Sequence, residues 1–462
     1  MNYGKCWTAM SKSFAVATVA MGLAAGSLWA AQETVLHTFV NGSDGSLPFG
    51  GLTFDANGNL YGTADLGGEF GDGAVYELTP DASGGFTFQT IHSFSQAKDA
   101  GGNPQSGVVF DTEGNLYGTT TQGGTGGCGI AYELSPPATK GGAWTETILH
   151  NFGGVSGCGP SGYLIFDQEG NLYGTTFGGG GGVNTPLCTN ATGGCGTVYK
   201  LSKVNGKWTE TTIHHFTGEN LDGQEPSGGL VFDQAGNLWG ATYVGGNGHS
   251  VTCGDQDGGV GDCGTVFELT PEAGGTWKET TLFSFSDDNT GFNPFTNLVI
   301  DKEGHLYGTA VNGGNDLGGL VFKLTPEGSG KVTESIVHQF DGGTDGLNPF
   351  NGLTMDAAGN LYGAVQNGGG TTTVCVGGFV PIGCGVVYKL TPNSSSTTWT
   401  ETILYDFLGS SDGAIPLDDR VAVDANGNVF GTASAGGDFN FNKTGCAGNL
   451  PGGCGVVFEV KP

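Results

Sequence analysis

One short segment of the sequence combines an arginine with two carboxylates. Asp418, Asp419 and Arg420 follow Pro416, and Arg420 is the only arginine among the 462 residues. A guanidinium can bind a ligand carboxylate, or a pair of hydroxyl groups, through two parallel hydrogen bonds. The same residues can also form an internal ion pair, which is a common arrangement in proteins. The segment is therefore a candidate ligand site, with an internal ion pair as the alternative.

Paired carboxylates are also the groups that glycosidases use as acid and base. Asp418 and Asp419 are neighbours in the chain, however, and neighbouring side chains on a strand point to opposite sides. The sequence contains no nucleophile-elbow, zinc-protease or phosphate-loop motif. The residues thus favour a non-enzymatic binding protein over an enzyme. A polysaccharide lyase or hydrolase is the alternative.

A second acidic segment lies between Cys253 and Cys263. Its carboxylates Asp255, Asp257 and Asp262 could together hold a calcium ion, although their spacing matches no established calcium loop. Acidic loops rich in glycine are usually only solvated. We therefore predict no cofactor, and a calcium site on this loop is the alternative.

Ten of the eleven cysteines follow the N-terminal segment and are predicted to pair. In four pairs the two cysteines bracket one short glycine-rich loop. Cys128 has the local sequence of the second member of such a pair, and Cys158 is its remaining partner. A zinc site is the rival interpretation, but no Cys-x-x-Cys pair is present. The predicted disulfides are Cys128–Cys158, Cys188–Cys195, Cys253–Cys263, Cys375–Cys384 and Cys446–Cys454.

The N-terminal segment is typical of an export signal. Lys5 and Lys12 precede an apolar run from Phe14 to Trp29, which is short for a membrane span. We predict a cleaved signal peptide over residues 1–31 and one domain over 32–462, exported to the periplasm or the medium; an uncleaved anchor is the alternative. The formal net charge of −29 argues against nucleic acid or an anionic membrane surface as a partner.

An internal repeat dominates the rest of the chain. Its signature is an apolar run, Asp, two variable residues, Gly-Asn, an apolar residue, an aromatic residue and Gly, as in FDANGNLYGT from Phe54. Successive copies lie 55 to 68 residues apart, which is the spacing of an array of supersecondary units. The aspartates of the seven copies are Asp55, Asp111, Asp167, Asp233, Asp301, Asp356 and Asp424. Because they recur in every copy, we assign them to the turn and not to calcium.

Each unit contains four strand signals, and the order of the strands along residues 32–462 allows a ring to close. The segment after residue 31 reads as a fourth strand, while the last unit has only three strands. A closed ring lets the first segment complete the last unit and leaves no bare edge. The sequence therefore predicts an all-β, seven-bladed β-propeller of four-stranded antiparallel blades. A β-solenoid is the alternative.

The repeat resembles a named family. The G-N-L-Y-G-T signature, the V-[FY]-[EK]-L-[TS]-P strand and the D-G-x-x-P loop are similar to the Gloeo/Verruco tandem repeat of bacterial choice-of-anchor GloVer-repeat proteins. The resemblance covers essentially all of residues 32–462. It implies an exported, propeller-like bacterial repeat protein and supplies no catalytic residues. Such proteins often end in an anchoring segment, whereas this chain ends at Lys461-Pro462, so surface attachment does not carry over.

The positions that differ most between the repeat units are predicted to lie at the ring axis. The residues between each loop proline and the first strand should face the channel, where Tyr163, Asn297 and Asn351 would form a polar ring at the level of Arg420. The cysteine-bearing loops should share one face of the ring. We expect a monomeric protein that binds a glycan or a cell-surface component there. A purely structural envelope protein is a further alternative.

Overall fold

The repeat signature folds as predicted in the computed structural model. The described residues are 31–96, 100–139, 141–181, 193–219, 221–247, 253, 263–286, 290–314, 317–328, 330–370, 375–377, 380–393, 398–417, 420–437, 446 and 452–462. They form seven antiparallel sheets, each with four blade strands, around one axis. The all-β seven-bladed propeller is thereby confirmed.

The strands of a blade run from the axis outwards. The inner strands are Thr53–Phe54, Val109–Phe110, Cys158–Phe166, Val231–Phe232, Val299–Ile300, Thr354–Met355 and Ala422–Val423. The second strands are Leu60–Ala64, Leu116–Thr120, Leu172–Gly178, Leu238–Gly245, Leu306–Ala310, Leu361–Val365 and Val429–Ala433. The third strands are Ala74–Pro80, Ile130–Ser135, Thr197–Val204, Thr265–Pro271, Leu320–Gly328, Val386–Pro392 and Val456–Lys461. The outer strands are Phe86–Ser93, Thr145–Asn151, Lys207–His215, Trp277–Ser284, Lys331–Gln339, Trp399–Asp406 and Gln32–Thr38.

A few short elements decorate the blades. In blade 4 an extra strand, Gly223–Pro226, continues the line of the inner strand and pairs with the second strand. Two small hairpins pair Gly101–Gly102 with Gln122–Gly123 and Val376–Gly377 with Val380–Pro381. One 3-10 turn spans Gly154–Ser156. No helix within the described ranges is long and apolar enough to cross a membrane.

The ring closes through the first strand of the domain. Gln32–Thr38 pairs antiparallel with Val456–Lys461, so that Val35 lies opposite Phe458. Thr432 also donates a hydrogen bond to the carbonyl of Pro48, across 384 residues of sequence. The N-terminal strand therefore completes blade 7, as the sequence predicts.

The repeated aspartate builds the turn between the inner and second strands. In blade 3, one carboxylate oxygen of Asp167 accepts hydrogen bonds from the amides of Glu169 and Asn171, at 3.0 and 2.8 Å. The other oxygen accepts from the Asn171 side chain at 2.7 Å and the Tyr173 hydroxyl at 3.0 Å. All seven aspartates accept the two amide bonds, so their structural assignment is confirmed.

The core lies between neighbouring blades. Tyr76 of the third strand in blade 1 is fully buried and packs against Phe39 of blade 7. The signature glycine makes room for it, because a Cβ on Gly62 would lie 2.5 Å from the Tyr76 hydroxyl. The tryptophans that start outer strands also pack between blades, as Trp208 does against Tyr117. These tryptophans therefore contribute to the packing between neighbouring blades.

Candidate functional site

The seven chain segments that follow the loop prolines converge on the ring axis. Tyr163 of blade 3 reaches across the channel and is only 3% exposed. Its hydroxyl lies so close to two glycines that a Cβ on Gly51 or Gly107 would meet it at 2.4 or 2.2 Å. Glycine at these positions is therefore required for the close approach. Two cavities meet at this position: Ser161 and Gly162 line one, towards the cysteine-bearing loops, and Tyr163 itself lines the other, towards the aspartate turns, so Tyr163 forms a barrier between them.

The cavity on the cysteine-bearing face, called the mouth below, has a volume of 320 Å³. Its lining includes the half-buried rings of Phe49, Phe295 and Phe350, each directly after a loop proline. Phe295 and Phe350 lie edge to face, with ring centres 5.8 Å apart, and Tyr243 extends the row at 6.0 Å from Phe295.

Polar side chains complete the mouth. They are Gln105, Ser161, Ser227 and Gln366. Among the described residues that line this cavity, none is an acid, a lysine, an arginine or a histidine. The mouth can therefore stack a ring and exchange neutral hydrogen bonds, while these residues provide no titratable group for acid–base chemistry.

The second cavity, called the turn-side cavity below, has a volume of 670 Å³. Arg420 and Tyr163 both line it, and the guanidinium carbon of Arg420 stands 4.3 Å from the centre of the Tyr163 ring. The Arg420 side chain therefore lies on the aspartate-turn side of Tyr163 and not among the described residues that line the mouth.

The two asparagines of the predicted polar ring bridge neighbouring blades. The Asn297 carboxamide oxygen accepts a hydrogen bond from the Gly229 amide, and Asn297 also lines the turn-side cavity. The Asn351 amide nitrogen donates to the Pro416 carbonyl at 3.1 Å, and Asn351 is only 1% exposed. Tyr163, Asn297 and Arg420 thus meet in one cavity, whereas Asn351 does not line it.

Several predicted residues lie outside the described part of the chain: Asp418 and Asp419 beside Arg420, Asp255, Asp257 and Asp262 of the acidic loop, and Cys188. Four of the five predicted disulfides are present, namely Cys128–Cys158, Cys253–Cys263, Cys375–Cys384 and Cys446–Cys454. Cys195 is also disulfide-bonded, as its predicted pairing with Cys188 requires.

A belt of histidines and carboxylates connects the outer strands of neighbouring blades. It was not predicted from the sequence. The ring nitrogen of His338 in blade 5 lies 3.3 Å from Glu401 of blade 6 and 3.5 Å from Asp345 of its own loop. Burial, with the charges of Asp345 and Asp341, raises the pKa of Glu401 to about 7. Burial also raises the pKa of Asp345, to about 6, and lowers that of His338.

The signal in the sequence is a glutamate that recurs four residues before the histidine of an outer strand, as Glu146 does before His150. The same arrangement recurs at His214, which lies 3.3 Å from Asp222, and at His92, which lies 3.7 Å from Glu146. Oxygen and nitrogen donors of His338, Asp345 and Glu401 cluster within 4.8 Å, as do those of Asp301, Glu303 and His305. The first cluster belongs to the belt between the outer strands, and the second belongs to the aspartate turn of blade 5. The repeated fold therefore explains both clusters.

Solved structures with a similar fold have low sequence identity. A protein of unknown function from Dyadobacter fermentans is 11% identical, with a TM-score of 0.42 and coverage of 93% of this chain and 97% of that one. The pyranose dehydrogenase PQQ domain from Coprinopsis cinerea is 13% identical, with a TM-score of 0.44 and coverage of 94% and 97%. An ulvan lyase of polysaccharide lyase family PL25 is 9% identical, with a TM-score of 0.49 and coverage of 87% and 89%. At these values the likeness concerns the fold alone.

Sequence comparison is more specific. A search of the curated proteins finds no match. The family profile of the Gloeobacter/Verrucomicrobia repeat matches residues 26–252 and 188–376, which together are more than half of the chain. The chain therefore belongs to the Gloeobacter/Verrucomicrobia repeat family.

Proposed function

We propose that this protein is an exported, non-enzymatic binding module whose mouth holds part of a glycan. The observation that carries the proposal is the composition of the mouth, in which Phe295 and Phe350 form an aromatic wall opposite neutral polar side chains. The apolar faces of sugar rings pack against aromatic rings, and sugar hydroxyls bond to amide and hydroxyl side chains. A neutral lining also suits a ligand without charge.

The aromatic wall consists of residues at a position where the blades differ in sequence. Blades 1, 5 and 6 place Phe49, Phe295 and Phe350 after the loop proline, while blades 2, 3 and 4 place Gln105, Ser161 and Ser227 there. A residue needed only for the fold would be expected in every blade. This uneven distribution supports a role in binding and gives the mouth an aromatic and a polar side.

The disulfides support export. Disulfides form and persist in oxidising compartments, and four are present among the described residues. Together with the predicted signal over residues 1–31, they favour the periplasm or the medium. The Cys128–Cys158 disulfide also anchors to blade 2 the strand that carries Ser161 of the mouth, which suits a preformed binding site.

Substitution of the aromatic wall tests the proposal. The double variant Phe295→Ala, Phe350→Ala should bind any polysaccharide that the wild type binds with at least about tenfold lower affinity, a loss of about 1.4 kcal/mol. Phe70→Ala is the matched control, because Phe70 is a 43% exposed aromatic on another loop. Equal retention by the double variant and the wild type, with both folded, would contradict the proposal.

A further inference from the structure

Among the described residues that line the turn-side cavity, Arg420 is the one cationic group. The Arg420 guanidinium lies against the face of Tyr163, with 4.3 Å between the guanidinium carbon and the ring centre. Stacking of this kind fixes the plane of the guanidinium while its N–H groups at the edge stay able to donate. Arg420 is also half-buried, so its charge is less screened than that of a surface residue. A carboxylate entering the cavity can therefore accept two parallel hydrogen bonds.

The rest of the cavity is largely apolar. The last residues of six inner strands line it: Phe54, Phe166, Phe232, Ile300, Met355 and Val423. All six are half-buried, so they form a wall that solvent reaches only partly. A sugar would lose hydrogen bonds against this wall, because its hydroxyl groups would find few partners. An apolar chain or ring would instead gain by leaving water.

We infer that the turn-side cavity binds a small monocarboxylate with an apolar body, such as a medium-chain fatty acid. Its carboxylate would contact Arg420, and its apolar part would lie along the ends of the inner strands. With a net charge of −29 the protein attracts no anion through its overall field, so the binding depends on this one arginine. The inference goes beyond the proposed function, because Tyr163 separates this cavity from the mouth.

Calorimetric titration with octanoate and with 1-octanol tests the inference. Octanoate should bind the wild type more tightly than 1-octanol, which lacks the charge. Arg420→Gln should weaken octanoate binding at least tenfold and leave the affinity for 1-octanol unchanged. Phe350→Ala, which alters only the mouth, should leave both affinities as they are.

A second variant keeps the test independent of Arg420, whose loss could disturb the Tyr163 barrier. Met355→Glu places a like charge on the half-buried wall and should abolish octanoate binding without removing the arginine. Melting curves identify variants that fail to fold. The inference is overturned if the wild type does not bind octanoate, if Arg420→Gln binds it as tightly as the wild type, or if Phe350→Ala removes the binding. Retention of polysaccharides is measured separately, so failure of one site does not imply failure of the other.

Discussion

At the scale of single residues, the fold depends on carboxylates used in two opposite ways. The turn aspartate Asp167 is held ionised: although burial disfavours its charge, hydrogen bonds from Asn171 and Tyr173 and the charge of Lys200 lower its pKa below the ordinary value. The belt glutamates are instead pushed towards the neutral form, since burial and neighbouring acids raise the pKa of Glu401 to about 7. These two shifts give opposite pH dependences.

Removing a turn aspartate should be costly. Asp167→Ala deletes four hydrogen bonds and should lower the free energy of unfolding by about 2 kcal/mol at pH 7. Because the folded pKa lies below the ordinary value, this stability is present above pH 3.8 and is lost as the pH falls through the folded pKa. Gln168→Ala in the same exposed turn is the control for denaturant melts. Equal stability of the two variants at pH 7 would contradict the role of Asp167.

Neutralising a belt glutamate should stabilise the protein at alkaline pH. The ionised Glu401 is unfavourable beside Asp345, and its protonation stabilises the fold below the ordinary pKa of 4.5; this stability is lost as the pH rises through about 7. Glu401→Gln should therefore raise the free energy of unfolding by about 1 kcal/mol at pH 8.5, after allowance for solvent screening. The gain should fade towards pH 4.5. The exposed Glu113→Gln is the control, and a gain that grows on acidification would refute the assignment.

At the scale of elements, the disulfides differ in what they join. Cys128–Cys158 links blade 2 to the start of the inner strand of blade 3 and closes 30 residues, whereas Cys375–Cys384 closes 9 residues within one loop. In the chain-entropy account a longer closed loop restricts the unfolded chain more.

Removing the inter-blade disulfide should therefore cost more. The double variant Cys128→Ser, Cys158→Ser should lose about 1 kcal/mol more stability than Cys375→Ser, Cys384→Ser. Chemical denaturation of both variants and the wild type measures the difference. A larger loss from the loop disulfide would contradict the prediction.

The strands and turns could be predicted from the sequence because each unit repeats the same local signals. In blade 1, residues 60–64 of the signature form a strand over their whole length, while the apolar run before the aspartate forms a strand only over Thr53–Phe54. The ladder of this inner strand consists of two pairs, Thr53 with Tyr61 and Phe54 with Leu60, and is therefore shorter than the apolar run. The belt was not predictable in this way, because its histidines and glutamates come from adjacent blades and meet only after the ring closes.

The repetition of local signals also allowed part of the candidate site to be predicted. The segments after the loop prolines do line the channel, as their place in the repeat required. The barrier formed by Tyr163 depends on how far one side chain reaches over Gly51 and Gly107. No periodicity of the sequence encodes how far this side chain reaches, so the separation of the two cavities could not be predicted from the sequence.

At the scale of the whole molecule, ring closure by residues 32–38 is the main long-range constraint. Deleting this strand exposes the edge of Val456–Lys461 and should abolish cooperative unfolding or cause aggregation. A circular permutant that moves residues 32–38 behind residue 462 should fold, since blade 7 is then continuous. Cooperative melting of the deletion variant at the wild-type temperature would show that closure is dispensable.

The proposed function is that the protein binds a glycan without cleaving it. The most direct measurement incubates the protein of residues 32–462 with a panel of polysaccharides and records both retention of the protein and release of fragments. We expect at least one polysaccharide to retain the protein, with no fragments released. Released fragments would contradict it by showing catalysis, and failure of every polysaccharide to retain the protein would contradict it by showing that the mouth binds none of these glycans.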